Sequence, residues 1–382
     1  MIIQEEFFGP AALDNLSTIL SQLNPKKVLV VTGGSSYISS GARSKVMPML
    51  KRFETIIFDD FEVNPKIQDV YKGVALVKGS KPDLIIAIGG GSVLDMAKIL
   101  NIISSQKIYS VLDLIINPHL ISSKNFSPLV AIPTTFGTGS EATNFAVVYI
   151  NKNKYSVEHY YMKPDFVIID PELSYNLPKK IAASTAFDAL CQGIESFWSI
   201  NSTDESQDFS QKSIELILKF IKPAVLDSNK FAIGQLTIAA NLSGKAINIT
   251  KTTAPHAISY PITSYFNIPH GHAVALTLGK FFIINSEALD EDIIDSRGAQ
   301  HLNKVMVKLF GMFECDTAQS CHNKWYSLLK LLNLETDFKK IGIINSADID
   351  CIIKNINLHR MKNHPVRIDN VMLSELFNLS II

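Results

Sequence analysis

The chain has 382 residues, a length that suggests about two domains. Its 36 lysines and arginines balance 36 aspartates and glutamates, so it lacks the basic excess typical of nucleic-acid binding. Hydrophobic residues make up 47%, yet no apolar run approaches the roughly 20 residues that a membrane span needs. Four scattered cysteines and an N-terminus without a signal-peptide pattern complete the prediction of a reduced, cytoplasmic, globular protein with no nucleic-acid or membrane partner.

The first half of the chain alternates short apolar runs with amphipathic stretches. Continuous apolar runs between helices are typical of a parallel sheet that is covered on both faces. We expect strands at residues 27–32, 54–58, 83–88, 128–132, 144–150 and 165–169. The sequence therefore predicts an α/β domain over residues 1–176.

After about Leu177 the pattern changes. Segments 213–220 and 237–247 have apolar residues at helical spacing, and strand-like runs no longer occur. We therefore expect a helical second domain over residues 177–382. Because no flexible linker separates the two domains, we also expect them to be in close contact, with a ligand cleft between them.

Three consecutive glycines, ending in Gly90 and Gly91, follow the expected strand 83–88 and precede a helical pattern. Glycine lets the backbone approach a ligand closely, and the free N–H groups of a helix start favour a phosphate. The run is neither a Walker A loop nor a G-x-G-x-x-G fingerprint. A plain tight turn is the alternative, but the flanking strand and helix favour phosphate binding.

A second turn of small residues follows the expected strand 128–132. It offers the hydroxyls of Thr134, Thr135 and Thr138, which suit hydrogen bonds to a nucleotide at the carboxyl end of a strand. A helix cap at Ser140 is an alternative interpretation, and the two are compatible.

A third turn, Gly33, Gly34 and Ser35, follows the first expected strand. A carboxylate here would suit a ribose 2′-hydroxyl, whereas its absence removes a repulsion against a 2′-phosphate. Arg43 lies a little further on. This turn therefore favours NADPH over NADH as the cofactor.

Four oxygen and nitrogen donors have a spacing that suits a metal ion. Asp188 and Gln192 are four residues apart and would share one face of a helix. His256 and His270 follow, with His272 close behind. This donor set suits Fe²⁺ or Zn²⁺, which could act as a Lewis acid on a carbonyl oxygen. Structural histidines and a capping or ion-paired aspartate are the alternative.

Seven segments follow one another along the chain: VLVVTGG, GGGSVLDMAK, AIPTTFGTGSEATNFAVV, PDFVIIDPEL, DALCQGIESFW, PHGHAVAL and NHPVRID. In order and spacing they resemble the iron-containing alcohol dehydrogenase family over nearly the whole chain. The resemblance implies a Rossmann-like dinucleotide-binding domain followed by an all-helical metal-binding domain. It also implies reversible NAD(P)-dependent alcohol oxidation with Fe²⁺ or Zn²⁺, in a homodimer or larger homo-oligomer.

The resemblance assigns roles by position. Cofactor contacts fall on Gly90, Gly91, Ser92, Asp95, Thr134, Thr135, Thr138 and Lys154, and metal ligands on Asp188, Gln192, His256 and His270. Two positions depart from the family. The second metal ligand, usually histidine, is Gln192, and a histidine proposed as a proton relay is replaced by Tyr260. Proton delivery would then come from Tyr260, from His272 or through water.

The DALCQ, TTAPHA and IPHGHAVALTL segments look like the branch that contains phosphonoacetaldehyde reductases. A phosphonate needs cations or hydroxyls around it, which Lys251, Thr252 and Thr253 could supply just before His256. Solvated surface is the alternative for these three residues.

We therefore expect a metal-dependent, NAD(P)H-linked reductase of a small aldehyde, with phosphonoacetaldehyde giving 2-hydroxyethylphosphonate as the first choice. The nearer alternative is a general alcohol dehydrogenase acting on butanol, lactaldehyde or a similar substrate. More distant alternatives are a lyase such as a dehydroquinate synthase and a nucleotide-binding protein that has lost its metal.

Overall fold

A computed structural model describes residues 4–124 and 126–377 and divides the chain into two compact units. The first unit runs to Leu177 and also takes in Lys230–Gly244. The second contains Pro178–Asn229 and continues from Lys245. The single boundary predicted after residue 176 does not place Lys230–Gly244 with the first unit. The apolar spacing of this segment resembles that of the helices on either side of it, so the sequence does not distinguish it from them.

The first unit is built on a parallel sheet of six strands, in the spatial order β1 (Glu5–Phe8), β8 (Phe166–Ile169), β5 (Leu129–Pro133), β4 (Leu84–Gly89), β2 (Lys27–Thr32) and β3 (Glu54–Phe58). Alternate residues of β2 enter opposite core clusters, with Val28 and Val30 on one side of the sheet and Leu29 and Val31 on the other. Burial on both faces explains the continuous apolar runs and confirms the predicted sheet.

Two strands stand apart from this sheet. The remaining pair, β6 (Phe145–Ile150) and β7 (Asn153–Glu158), forms an antiparallel hairpin. The sequence did not predict β7, because its NKYSVE sequence is mostly polar, or β1, which is a four-residue edge strand. The helices before the second unit are α1 (Asn15–Leu23), α2 (Ser36–Ser39), α3 (Ala42–Leu50), α4 (Ile67–Ser80), α5 (Gly91–Ser104) and α6 (Val111–Ile116).

The rest of the described chain is helical, apart from short turns and an isolated bridge between Ile293 and Val366, which confirms the predicted helical C-terminal region. Helix α7 is buried along nearly its whole length, so it forms the centre of the second unit. In residues 4–124 and 126–377 no helix has the length and apolarity to cross a membrane. The helices are α7 (Lys179–Trp198), α8 (Asp204–Leu226), α9 (Lys230–Thr250), α10 (Ala254–Phe266), α11 (His270–Glu287), α12 (Gly298–Met312), α13 (Ala318–Leu331), α14 (Ser346–Lys354), α15 (Leu358–Met361) and α16 (Asn370–Leu376).

Candidate functional site

The turns after three neighbouring strands lie at one edge of the sheet. Strands β2, β4 and β5 are adjacent and parallel, so their carboxyl ends share this edge. They continue into Gly33, Gly90 and Thr134, and the N–H of Thr134 donates to the carbonyl of Gly89 at 3.0 Å. Ligands of open α/β sheets bind at this kind of edge. The fold thus brings the three predicted turns to the place where a nucleotide would bind.

The glycine turn packs directly against the threonine turn. A Cβ on Gly91 would lie 2.6 Å from Cγ2 of Thr138, and one on Gly90 would lie 3.5 Å from Thr135. Gly91 is also the first residue of α5, where the backbone N–H groups have no partners within the helix. Glycine at position 91 therefore permits the close approach of the two turns beside a helix start that favours an anion.

Asp95 is engaged by the protein itself. Its carboxylate accepts hydrogen bonds from the Ser140 hydroxyl at 2.5 Å and from the N–H of Val147 at 2.9 Å. Burial raises the pKa of Asp95, and the nearby charges of Lys98 and Lys154 lower it. Asp95 therefore ties α5 to the turn that follows β5, and Lys154 on β7 lies close enough to act on it.

Lys98 belongs to the same network and was missed by the sequence analysis. It is buried and donates to Oγ of Ser140 at 3.0 Å, to Oγ1 of Thr143 at 2.9 Å and to the carbonyl of Phe145 at 3.0 Å. Burial lowers its pKa to about 8, against the opposing effect of Asp95. The signal that could have identified Lys98 is a lysine within the largely apolar sequence of α5.

The other predicted cofactor residues differ in exposure. The turn at Gly33, Gly34 and Ser35 is open, since Ser35 is exposed and a Cβ on Gly34 would meet no atom within 4 Å. Thr134 is buried, and its hydroxyl has no hydrogen-bond partner among the described residues. The Ser92 hydroxyl accepts a hydrogen bond from the N–H of Asn64 at 3.0 Å. Ser92 therefore also anchors the loop at Asn64.

Gly139 makes a backbone-to-backbone contact that no side chain would permit. It has a φ of 59°, and a Cβ there would lie 2.4 Å from Cα of Gly244 and 2.8 Å from the carbonyl oxygen of Ala240. Both partners lie on the part of α9 that belongs to the first unit. This contact fixes the turn after β5 against that helix.

Three of the predicted metal ligands come together in the second unit. Asp188 lies on α7, His256 on α10, and His270 begins α11. Nε2 of His256 is 3.4 Å from Oδ1 of Asp188, and Nε2 of His270 is 4.0 Å from the same oxygen. Two ligands of one tetrahedral ion lie about 3.4 Å apart when each bond is about 2.1 Å long. The three donors, all within 4.8 Å of one another, therefore fit a single divalent ion.

Gln192 is the fourth predicted ligand. It is buried one helical turn after Asp188, on the same face of α7. Its amide oxygen would be a neutral ligand added to one carboxylate and two imidazoles. This chemistry suits Fe²⁺ or Zn²⁺, so the residues present fit the metal that the sequence predicted.

Glu195, which the sequence analysis did not single out, lies behind this cluster. It is fully buried on α7, and its Oε2 contacts Nδ1 of His256. Burial lowers the pKa of His256, but the Glu195 and Asp188 carboxylates outweigh this effect and raise it to about 10. Asp188, Gln192 and Glu195 are spaced i, i+4 and i+7, a helical stripe of polar residues that was the available signal.

Helix α11 begins in close contact with α7. A Cβ on Gly271 would lie 2.0 Å from the carbonyl oxygen of Ser184 and 2.8 Å from Cβ of Asp188. The Ser184 hydroxyl also accepts a hydrogen bond from the N–H of His272 at 3.1 Å, and so caps the start of α11. Gly271 and Ser184 therefore set the position of His270 relative to Asp188.

The two predicted proton donors have different surroundings. The ring of Tyr260 stacks on His270, with centroids 5.8 Å apart and planes inclined by 27°. The ring of His272 instead makes a 2.7 Å hydrogen bond through Nε2 to the carbonyl of Glu335, and burial lowers its pKa. A carbonyl only accepts, so Nε2 of His272 donates to it. Tyr260 thus contacts the donor cluster directly, whereas the described hydrogen bond of the His272 ring is made elsewhere.

The three predicted substrate residues also differ in burial and in hydrogen bonding. Lys251 is half-buried, with Nζ donating to the carbonyl of Asn248 at 3.2 Å, and Thr252 is buried next to it. Thr253 has no exposed surface, and its hydroxyl links Nε1 of Trp198 to the carboxylate of Glu195 at 3.0 and 2.9 Å. The structure therefore places the Thr253 hydroxyl behind the metal ligands, and its contact with substrate stays a prediction.

Comparison with known proteins covers both units. The family model for iron-containing alcohol dehydrogenase matches residues 4–171, and the model for the C-terminal region of the Fe-containing alcohol dehydrogenase family matches residues 182–375. The chain is 32% identical over 274 residues to long-chain-alcohol dehydrogenase 1 of Geobacillus thermodenitrificans, which covers 71% of this chain and 69% of that protein.

Two further similarities concern reductases. The chain is 33% identical over 240 residues to the phosphonoacetaldehyde reductase of Streptomyces viridochromogenes, 60% of each chain. Its fold matches that of the sulfoacetaldehyde reductase from Bifidobacterium kashiwanohense in complex with NAD⁺. That match has a TM-score of 0.86 and 26% identity, and it covers 99% of this chain and 98% of the other.

Proposed function

Because this chain belongs to the iron-containing alcohol dehydrogenase family, we propose that it reduces a small aldehyde that carries an anionic group to the primary alcohol. Phosphonoacetaldehyde, which would give 2-hydroxyethylphosphonate, is the first choice. The family makes the chain an NAD(P)-dependent oxidoreductase with an iron-type metal site. The substrate is the part that we propose.

The observation that carries this proposal is the cluster of Asp188, His256 and His270, of which the first two are buried, with a cation, Lys251, five residues before His256. Lys251 is half-buried rather than fully solvated, and Thr252 is the next residue in the chain. A cation and a hydroxyl are the groups that bind a phosphonate or sulfonate. Support also comes from two similar proteins whose names specify an anionic acetaldehyde, phosphonoacetaldehyde and sulfoacetaldehyde.

When bound, the metal supplies Lewis acidity to a carbonyl oxygen, and the reduced nicotinamide supplies the hydride. Asp188, Gln192, His256 and His270 would hold the metal. Tyr260 would hold the proton that the new alkoxide takes up, because its ring lies against His270, and it would recover a proton from water. Lys251 and Thr252 would orient the anionic end of the substrate.

In the first unit, Gly90, Gly91 and Thr138 would bind the pyrophosphate through backbone N–H groups and hydroxyls. The buried Thr134 hydroxyl and Thr135 would bind the remaining parts of the dinucleotide. Asp95 would act mainly by fixing these turns, since its oxygens accept from Ser140 and Val147. The open turn without a carboxylate at 33–35 favours NADPH, and NADH is the alternative.

The test is the loss of reduced-nicotinamide absorbance in protein reconstituted anaerobically with Fe²⁺ or Zn²⁺. Phosphonoacetaldehyde, sulfoacetaldehyde, acetaldehyde, butyraldehyde and lactaldehyde are each offered with NADPH and NADH. We expect kcat/KM for phosphonoacetaldehyde to exceed that for acetaldehyde by at least about tenfold, because a charge-assisted contact contributes about 1.5–3 kcal/mol.

A matched pair of variants locates the preference. Lys251→Met should lose the advantage of phosphonoacetaldehyde and leave acetaldehyde turnover within about twofold. Lys219→Met, at an exposed lysine of α8, should change neither. Equal rates on charged and uncharged aldehydes in the unchanged protein would refute the anionic substrate.

A general alcohol dehydrogenase acting on short-chain alcohols or aldehydes, such as butanol or lactaldehyde, is the second candidate. The similarity to the Geobacillus long-chain-alcohol dehydrogenase favours it, since that protein is named for an uncharged substrate class. Butyraldehyde or lactaldehyde would then be preferred in the same assay. A homodimer or larger homo-oligomer, and a place in the cytoplasm and in phosphonate biosynthesis, stay predictions.

A further inference from the structure

Glu195 is a fully buried carboxylate that takes no direct part in the donor cluster. Burying a carboxylate is costly unless hydrogen bonds or opposite charges compensate it. The contacts of Glu195 are with the start of α10: the backbone N–H and hydroxyl of Thr253, each at 2.9 Å, the N–H of His256 at 3.2 Å, and the ring of His256. Its compensation therefore comes from the segment that carries a metal ligand.

The contact of Oε2 with Nδ1 fixes the state of the His256 ring. An ionised carboxylate only accepts hydrogen bonds, so Nδ1 must carry the proton. With Nδ1 committed to Glu195, Nε2 is the nitrogen left to bind an ion once it gives up its own proton, and Nε2 is the atom that lies 3.4 Å from Oδ1 of Asp188. Carboxylates that hold a ligating histidine in this way set both its tautomer and its orientation.

The other oxygen, Oε1, fixes the backbone that carries His256. It accepts from the N–H groups of Thr253 and His256 at the start of α10 and from the hydroxyl of Thr253. Nε1 of Trp198 donates to that hydroxyl at 3.0 Å and so directs the hydroxyl proton toward Glu195. One carboxylate on α7 thus holds both the ring and the main chain of a residue on α10.

We propose that Glu195 is a positioning residue for metal binding, which acts through His256 by holding its ring as the Nδ1–H tautomer with Nε2 available to the ion. The inference rests on the metal site of the proposed function but not on the identity of the aldehyde. Its tests use the metal alone, without nicotinamide or aldehyde, so a wrong substrate would leave it intact.

The first experiment measures Zn²⁺ affinity by competition with a chromophoric chelator. Glu195→Gln keeps the size and one acceptor oxygen, but the amide nitrogen would donate to Nδ1 and favour the wrong tautomer. We expect a loss of about 10–100-fold in Zn²⁺ affinity. Glu141→Gln is the matched control, because it neutralises another buried carboxylate that accepts from Asn241 in the first unit. It should leave Zn²⁺ affinity unchanged.

A second comparison separates positioning from general support. If Glu195 acts through His256, then Glu195→Gln should cost little further affinity in a His256→Ala background. A full 10–100-fold loss in that background would overturn the proposal. So would an affinity within about twofold of the unchanged protein for Glu195→Gln alone.

A measurement on the unchanged sequence covers the case in which Glu195→Gln does not fold. Nitrogen-15 labelling of histidine in the Zn²⁺-loaded protein reports which ring nitrogen carries the proton, and the His256 signal is identified by its loss in His256→Ala. We expect a protonated Nδ1 and a metal-bound Nε2. A protonated Nε2, or zinc on Nδ1, would overturn the proposal.

Discussion

The two units build their predicted sites from different parts of the chain. In the first unit the cofactor edge depends on backbone: Gly91 and Gly139 permit contacts that any Cβ would prevent. In the second unit the donor cluster depends on side chains from three helices, with Glu195 behind them. A Cβ added to a glycine should therefore destroy the first kind of site, whereas removal of a side-chain donor should destroy the second.

This difference determines how each site responds to mutation. A backbone site should resist most side-chain changes but fail when a glycine gains a methyl group. A side-chain site should fail at any single ligand, while the helices that carry it stay folded. The expected effects run from loss of a metal ligand, the largest, to loss of a helix cap, the smallest.

The largest effect should follow removal of one ligand. His270→Ala should lower turnover by at least about 10³-fold, because the Lewis acid contributes several kcal/mol to the reaction. Nucleotide binding, measured by fluorescence titration with NADPH, should stay within about twofold, since its predicted residues lie in the first unit. His359→Ala, at an exposed histidine, is the control and should change neither quantity. Full turnover of His270→Ala in metal-free buffer would show that the metal assignment is wrong.

Adding a methyl group should damage each site selectively. Gly271→Ala would force a Cβ to within 2.0 Å of the Ser184 carbonyl, and Gly139→Ala to within 2.4 Å of Gly244 at a positive φ. Each should lower the free energy of unfolding by about 3 kcal/mol, as overpacking does.

The two variants are distinguished by which ligand they bind less tightly rather than by how much stability they lose. Gly271→Ala should weaken Zn²⁺ binding and preserve NADPH binding, whereas Gly139→Ala should do the reverse. Chelator competition and fluorescence titration on the two variants measure both affinities. If either variant lost both ligands at temperatures where it stays folded, the two sites would not be independent in the way that we infer.

The sequence predicted local features better than features that depend on packing. The glycine turns and the buried strands could be predicted because the residues that specify each lie in one short segment, such as GGGSVLDMAK at the end of β4. The edge strand β1 and the polar β7 could not, because neighbours rather than composition stabilise them. The spacing of Asp188, Gln192, His256 and His270 suggested a metal, and the structure brings together the three that carry charge or imidazole.

Side-chain roles that depend on the tertiary fold could not be predicted from the sequence. Thr253 is predicted as a substrate residue, and the sequence does not show that its hydroxyl links Trp198 to Glu195. His272 is predicted as a proton donor, and the sequence does not show that its Nε2 donates to the Glu335 carbonyl. In both cases the deciding partner is distant in sequence, so spacing could not reveal it.

A buried histidine outside the cluster gives a third, smaller effect. His364 is fully buried against the rings of Trp198 and Phe281, and burial lowers its pKa to about 3. The unfolded chain takes up a proton near pH 6.5 that the folded one does not, so this group lowers stability as pH falls from about 6.5 toward 3. This is the opposite of His256, whose carboxylate partners raise its pKa.

The test compares the free energy of unfolding of the unchanged protein with that of His364→Gln at several pH values. The variant retains a polar group beside Asn285. Between pH 7 and pH 5 the unchanged protein should lose about 2 kcal/mol relative to the variant. Urea unfolding at pH 7, 6 and 5 measures this difference. Parallel profiles would mean that His364 is protonated as easily in the folded chain as in the unfolded one.

The smallest effect should come from a single helix cap, and it returns to the contrast between the units. Ser184→Ala removes the acceptor for the His272 N–H at the start of α11, and Ser110→Ala removes the capping box of α6 in the first unit. Each should cost about 1 kcal/mol of unfolding free energy. Only Ser184→Ala should also weaken Zn²⁺ binding, by a few fold, because α11 begins with the ligand His270. If both variants or neither changed Zn²⁺ affinity, the start of α11 would not be what positions that ligand.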